Sequence, residues 1–432
     1  MLRWILVAWL CLGWVTRTAR SQSTDSDALL AKISDQVKQN LEHLPNYVCL
    51  ETIQRTRRIK AGGSLEPLDT LRIEVGVSGR REMYSWPGSK AFDQRELGDM
   101  VARGMVGTGN FALLPEHVFL ASVAQFEYKG EQEIAGRKAL RFDYEVTEDA
   151  SSYKLRAPPH EAIVGFRGSV WADRETLDLI RLEAVAGEIP TELGLSEARM
   201  AMDYGRIPIG GGSFLLPASS DLVMTTLDGE QTRNLSNFTS CRQFQTESQV
   251  SFEGSSEAPR PPQTAVPTGV TALAGAAGLD LPPGISLELS LDDDIDLQNA
   301  EIGGPVRATL ARALKNGESI LAPEGARVAG RLVRLERESQ PFEHYIVGLE
   351  FDTLQFSGGT ARFMATLQDA SSAPGLLRQA RRMDPTFARR REAHMDILVN
   401  ERHRGQGILH WDAKHPSIRK GFKTRWVTDT TR

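Results

Sequence analysis

Residues 168–184 read GSVWADRETLDLIRLEA, and the fold is decided here. Asp173-Arg174-Glu175-Thr176 is a turn signal between two apolar arms, so the stretch is predicted to be one β-hairpin. Outward from it, KALRFDYEVT at 138–147 alternates, with Leu140, Phe142, Tyr144 and Val146 on one side. Leu71, Ile73, Val75 and Val77 repeat that one-sided pattern. In PNYVCLETIQR (45–55), Val48, Leu50 and Thr52 lie on one side and Tyr47, Cys49 and Ile53 on the other, which predicts a strand buried on both faces. Further turn signals are Ala61-Gly62-Gly63-Ser64, Ile134-Ala135-Gly136-Arg137 and Asp228-Gly229. Long strands joined by short turns predict an antiparallel meander. Leu30, Ile33, Val37, Leu41 and Leu44 recur every three or four residues, which predicts an amphipathic helix ended by Pro45. Residues 91–120, with Gly104, Gly107, Gly109 and Leu113-Leu114-Pro115, break the pattern and are predicted to be a helical excursion over the sheet.

The chain has 432 residues, enough for two or more domains. Hydrophobic residues at 41% and charged residues at 25% exclude a mostly disordered or fibrous chain. With 51 Lys and Arg against 56 Asp and Glu, the net charge of −5 argues against a nucleic-acid partner. Residues 1–21, MLRWILVAWLCLGWVTRTARS, pair Arg3 with an apolar run from Trp4 to Val15 and small residues at Ala19 and Ser21. This is the pattern of a cleaved export signal, an uncleaved N-terminal anchor being the alternative. Export predicts a periplasmic or outer-membrane-associated protein. Cleavage would remove Cys11 and leave Cys49 and Cys241, the first in the first strand and the second in the last strand of the same domain. In an oxidising compartment the pair is read as a disulfide, two buried thiols being the alternative.

Residues 254–284 carry Pro259, Pro261, Pro262, Pro267, Pro282 and Pro283 among Ala, Gly, Ser and Thr, and are predicted to be an extended linker. Alternation resumes from Ile285, in Val306, Ala308 and Leu310, in Val347, Leu349 and Phe351, and in Phe363, Ala365 and Leu367. Pro323-Glu324-Gly325 predicts a type II turn with Pro323 in the second position and Gly325 at positive φ. Gly330, inside the strand that follows, predicts a bulge or a close backbone approach. From Ser372 to Arg432 there are 14 Lys and Arg against 6 Asp and Glu, a net of +8. Arg378, Arg381, Arg382, Arg389, Arg390 and Arg391 cluster on a predicted helical insertion, and strands at Ile408-Leu409-His410-Trp411 and Gly421–Trp426 are expected to return and complete the second domain. The basic cluster is read as a peripheral contact with an anionic membrane or an acidic partner, against the plainer reading of a solvated face.

The chain contains no nucleophile elbow, His-Glu-x-x-His, P-loop or dinucleotide fingerprint. Ser151-Ser152-Tyr153-Lys154 and Ser417-Ile418-Arg419-Lys420 fit Ser-x-x-Lys without companion motifs. His403, His410 and His415 match no single helix face, so no metal centre is assigned to them. Asp292-Asp293-Asp294-Ile295-Asp296 lacks the glycine and the distal glutamate of a calcium loop and reads as a solvated loop. Asn234-Leu235-Ser236 and Asn237-Phe238-Thr239 are glycosylation sequons. No catalytic, cofactor or metal residues are assigned.

The G-x-V-W-x-D-x-x-T pattern of Gly168, Val170, Trp171, Asp173 and Thr176, continued by Leu179 and Arg181, follows a helix within a run of long strands. In this, residues 26–252 resemble the LolA-type half-barrel. The resemblance implies a curved sheet that holds acyl chains, or a lipoprotein's lipid, on a helix-capped concave face. LPNYVCLETIQRTRR and FTSCRQFQTESQVSF also resemble segments of uncharacterised envelope proteins of Acidobacteria. Residues 285–368, around PEGARVAGRL, resemble the small β-barrel of TrbI-type secretion proteins, which implies an assembly part without an active site. The expected architecture is mainly β with flanking helices. A signal (1–21) precedes a curved antiparallel half-barrel (22–253), a linker (254–284) and a smaller barrel-like β domain with a basic helical insertion (285–432). The expected function is a non-catalytic envelope protein without cofactor, with a lipid, a lipoprotein acyl chain or an envelope protein as partner. The rivals are a secreted hydrolase with a dispersed active site and a pure interaction scaffold.

Overall fold

A computed structural model describes residues 8–59, 62–78, 81–89, 92, 97–101, 114–157, 160–244, 279–317, 319–339, 342–357, 359–377 and 404–430, with side chains from Asp25 onward. The molecule is mainly β. It divides at Gln245/Thr246 into two compact units, apart from Leu68–Arg72 and Met100–Ala102, which group with the second.

In the first unit, helix α1 spans Ala8–Glu42, so it includes the second part of the predicted signal, whose first seven residues lie outside the described ones. Among the described residues no helix is long and apolar enough to cross a membrane. The strands are β1 (Tyr47–Arg58), β2 (Glu66–Ser78), β3 (Arg81–Ser85), β4 (Gln125–Ile134), β5 (Arg137–Val146), β6 (Lys154–Ala157), β7 (His160–Ile163), β8 (Phe166–Asp173), β9 (Leu179–Ala186), β10 (Leu195–Ile209), β11 (Gly212–Thr226) and β12 (Gln231–Gln243). Ten of them form one curled sheet in the order β3-β2-β1-β12-β11-β10-β9-β8-β5-β4, and β6 and β7 form a separate hairpin. The 91–120 excursion contains short helices α2 (Leu97–Met100) and α3 (Leu114–Phe119), and its remainder lies almost entirely outside the described residues.

The turn chemistry explains the connections. Asp173 Oδ1 accepts the backbone N–H of Glu175 (2.9 Å) and of Thr176 (3.0 Å), turning the chain from β8 into β9. Between β4 and β5, Ala135 and Gly136 have φ of 49° and 73°, the left-handed pair of a two-residue hairpin. Gly168 is required because a Cβ there would strike the Glu183 carbonyl, to which the Tyr144 hydroxyl donates at 2.7 Å. Leu140, Phe142, Tyr144 and Val146 point into one core with Val170, Ala172 and Leu182. Ile33 and Val37 of α1 and Val118 of α3 cover that face. Trp171 points the other way, its ring under Arg141 at 5.3 Å and its indole N–H bonded to Gln132.

The second unit is built from β13 (Leu279–Asp280), β14 (Ser286–Leu291), β15 (Ile295–Asp296), β16 (Pro305–Leu310), β17 (Leu314–Asn316), β18 (Ser319–Ala322), β19 (Arg327–Glu338), β20 (His344–Phe356), β21 (Gly359–Arg362), β22 (Ala365–Ala370), β23 (Gly407–Asp412), β24 (Ser417–Ile418) and β25 (Lys423–Thr428). Pairing runs β23-β20-β19-β16-β14-β25-β22, and the backbone bond from Leu367 N–H to Gln406 O (3.3 Å) draws the two ends together. The interior is filled by Trp411, Trp426 and Phe351, with Trp426 edge-on to Phe351 at 5.2 Å. Gly407 lies against the Trp426 ring, where a Cβ does not fit. The returning strands at Ile408–Trp411 and Gly421–Trp426 thus complete this unit, whereas Arg378 to Arg391 lie outside the described residues.

Two details differ from expectation. The residues read as the end of the linker already belong to the unit: Leu279–Asp280 pairs with β21, and Leu281 is buried. The Pro-Glu-Gly turn closes from Ala326 N–H to Pro323 O, which puts Pro323 in the first turn position, not the second, with Gly325 at φ 80°. Gly330 sits at a register shift where a Cβ would strike the Glu350 carbonyl of β20.

Candidate functional site

The helix-covered inner face of the half-barrel changes character across its strands. Over β5, β8 and β9 it presents Leu140, Phe142, Val170 and Leu182. From β10 to β1 the register places Met200, Leu222, Asn234 and Arg55 in one row, and Met202, Ser220, Ser236 and Ile53 in the next. Glu51 follows, opposite Phe238. One end is thus apolar and the other carries carboxyl, amide and hydroxyl groups.

Under α1 a narrow seam runs between the helix and strands β1, β9, β10 and β11. Its cavity of about 20 Å³ is lined by Val37, Leu41, Leu44, Tyr47, Leu179 and Tyr204, among others. That is room for a single water. Among the described residues the buried Tyr204 hydroxyl has no hydrogen-bond partner, and burial pushes its ionisation far above the ordinary range. A polar latch holds α1 at the rim: Gln36 donates to Asp178 at 3.1 Å, and Arg206 grips both Asp178 oxygens at 2.6 and 2.8 Å. Burial raises the Asp178 pKa, but the bonds from Arg206 and Gln36 outweigh it and hold the carboxyl below its usual value.

At the polar end a second cavity, of about 30 Å³, is lined by Glu51, Glu82, Tyr84, Asn234, Ser236 and the apolar floor of Met200, Met202 and Phe238. Burial raises the Glu51 pKa to about 7; the Ser236 hydrogen bond opposes this and the Glu82 charge adds to it. The Tyr84 hydroxyl donates to Glu82 at 2.6 Å. Tyr47 lines the seam, and burial first, then the charges of Glu82 and Tyr204, raise its ionisation.

Cys49 and Cys241 form a disulfide between β1 and β12, the strands where the beginning and end of the unit meet. It lies at the register shift between Val48 and Leu50, with Ser240 at φ 51°. The bridge fixes the stretch of β1 that carries Glu51 to its neighbour.

The Ser-x-x-Lys segments are structural: Ser151 Oγ accepts the Tyr153 N–H, Lys154 pairs with Glu161 at 3.3 Å, and Arg419 pairs with Asp294 at 2.7 Å. The aspartate run is tied internally, Asp293 to Arg307 and Asp296 to Asn299. His403 lies outside the described residues, His410 stacks on His344 at 5.7 Å, and the His415 carbonyl accepts the Trp411 indole N–H. Among the described residues no group of three His, Cys, Asp or Glu is placed to hold a metal ion. Asn234 of the first sequon is buried on the inner face. Sequence reasoning missed Glu51, Glu82 and Tyr204. The available signal was Glu51, a carboxyl two residues from both Cys49 and Ile53 and so on their side of an apolar strand.

No family model matches the chain. No curated protein matches it either. Among solved structures, a LolA superfamily protein from Nitrosomonas europaea is similar at 8% identity and a TM-score of 0.27, over 49% of this chain and 94% of that one. A DUF1329 family protein from Desulfovibrio piger is similar at 9% identity and a TM-score of 0.28, over 50% and 92%. The MucA/MucB complex of Pseudomonas aeruginosa gives 16% identity and a TM-score of 0.18, over 76% and 90%.

Proposed function

We propose that the chain is an exported, non-catalytic protein of the cell envelope whose half-barrel takes up an acyl chain, from a lipid or a lipoprotein, between α1 and the inner face. One observation carries this reading: the seam under α1 is apolar on both walls, is latched by polar groups at its rim, and holds the unpartnered hydroxyl of Tyr204. A buried hydroxyl without a partner costs about 1–3 kcal/mol, which a ligand's carbonyl oxygen would recover. The closed seam admits one water, so uptake requires α1 to lift, and each Å² of methylene surface then buried contributes about 25 cal/mol. Export rests on residues 1–21 and the acyl ligand class on the LolA-type resemblance of residues 26–252. The second unit is proposed as the assembly part, and the basic stretch from Arg378 to Arg391 as the membrane contact.

Native mass spectrometry of the gently purified protein tests the reading, with a delipidated sample offered a long-chain fatty acid. Adducts of lipid mass in the first sample, or stoichiometric uptake in the second, are the expected results. A clean apo mass and no uptake, even in a Gln36→Ala variant whose latch is loosened, would sink it. That outcome would favour the interaction scaffold, for which the water-sized cavities speak. The hydrolase rival gains a converging pair in Glu51 and Glu82, but a cavity of about 30 Å³ has no room for a substrate beside an attacking water.

A further inference from the structure

We propose that the seam under α1 selects a neutral carbonyl, the ester or amide of an acyl chain, and that Tyr204 and Asn40 are the residues that select it. This rests on the acyl-binding reading and adds the chemistry of the ligand's head and the groups that read it.

Two donors meet at one small void. Tyr204, on β10, is 7% exposed and lines the seam, and among the described residues its hydroxyl has no hydrogen-bond partner. Asn40, one turn beyond Gln36 on α1, lines the same seam. Its oxygen accepts from Arg206 at 3.4 Å, the long limit of a hydrogen bond. Its buried Nδ2 completes no hydrogen bond among the described residues, although the side chain stands near enough to Asp178 to help hold that carboxyl down. A hydroxyl and an amide N–H can both donate, and a carbonyl oxygen has two lone pairs to accept them. The cavity of about 20 Å³ has room for one such oxygen.

The rest of the lining decides against other heads. Val37, Leu41, Leu44, Leu179, Leu215 and Leu216 are aliphatic, and among the described residues no charged side chain lines the seam. Arg206, the cation at the rim, is held by both Asp178 oxygens. A carboxylate would therefore give up its water without gaining a counter-charge. A chain with no acceptor would leave both donors unpaired, the loss by which a hydrogen-bonding site discriminates most sharply. An ester or an amide meets neither penalty. The helix that closes over the chain is also the element that supplies the second donor.

Calorimetric titration of the delipidated full chain at pH 8 with methyl octanoate, N-methyloctanamide, octanoic acid and 1-methoxyoctane is the test. The last is the ester without its carbonyl oxygen. The ester or the amide is expected to bind about tenfold more tightly than the ionised acid and the ether. Whichever of the two binds more tightly tells an O-acyl lipid from an N-acylated lipoprotein as the source. Tyr204→Phe and Asn40→Leu should each weaken the preferred carbonyl ligand by about three- to tenfold and leave the ether unchanged. A change that Asn40→Leu makes in all four ligands alike would mark a loosened latch and remove Asn40 from the assignment. Should either variant fail to fold, the wild-type ranking of ester, amide and ether decides. Equal affinity for all three, tighter binding of octanoate, or a preference that survives both variants overturns the carbonyl assignment alone, the two donors then sharing a single water. No binding by any of the four overturns the acyl-binding reading with it.

Discussion

The two ends of the inner face share one sheet and one curvature, yet they are closed by different means. Over β5, β8 and β9 the face is sealed by packing: side chains from α1 and α3 interdigitate with Leu140, Phe142, Val170 and Leu182. Over β1 to β3 it is closed by a covalent bond between β1 and β12 and by polar groups around a buried carboxyl. Packing tolerates few alternatives and resists titration. A buried carboxyl makes its end respond to pH and to cations. The first end should therefore govern stability, and the second how stability and binding change with conditions.

The largest effect tests the packed end. Phe142 is buried against Tyr128, with ring centroids 5.0 Å apart. Phe142→Ala should remove about 3–5 kcal/mol of the stability of the half-barrel, read by denaturant titration. A loss below about 1 kcal/mol would mean that the helices do not seal this end. Next comes the covalent closure. Replacing Cys49 and Cys241 together by Ala opens a link across 192 residues and should cost about 2–5 kcal/mol. If the double variant melts with the wild type, the hydrogen bonds between β1 and β12 suffice by themselves.

Glu51 gives the sharpest contrast between the ends. Its pKa rises from 4.5 to about 7 on folding, so between those values the folded protein holds a proton that the unfolded chain has released. Stability therefore falls as pH climbs through that window and levels off above it. The contribution lost is on the order of 3 kcal/mol. Glu51→Gln should flatten this slope and raise stability at pH 8, whereas Phe142→Ala should leave the slope alone. Unfolding free energies at pH 5 and pH 8 for the three proteins decide the matter.

The packed end was legible in the sequence because its information is local and periodic. Leu140 to Val146 alternate and Asp173 to Thr176 name their own turn; in the second unit Gly330 likewise announces the close approach found at Glu350. The polar end was not. Glu51, Glu82 and Tyr204 are far apart in the chain, and only the sheet order from β3 through β2, β1, β12 and β11 to β10 brings their strands together. Cys49 and Cys241 could be paired because they mark the first and last strands, but the alternation that puts Glu51 on the side of Ile53 does not say which groups it meets there. The end of the linker was missed for a related reason. Leu279 and Asp280 pair in parallel with residues some eighty positions away, and the short proline-flanked segment gives no periodic signal.

The smallest effect bears on whether the seam under α1 is built for packing or for a ligand. If Tyr204 served packing alone, its hydroxyl would be a liability, and Tyr204→Phe should stabilise the protein by about 1 kcal/mol with no other consequence. If the hydroxyl serves a ligand, the same variant should gain that stability and lose affinity for a fatty acid by roughly the same free energy, a factor of about five to ten. The two measurements, thermal unfolding of the delipidated protein and titration with dodecanoic acid, move together only under the second reading. A stability gain without a change in affinity would assign the whole inner face to packing and leave Glu51 as the one group there that answers to conditions.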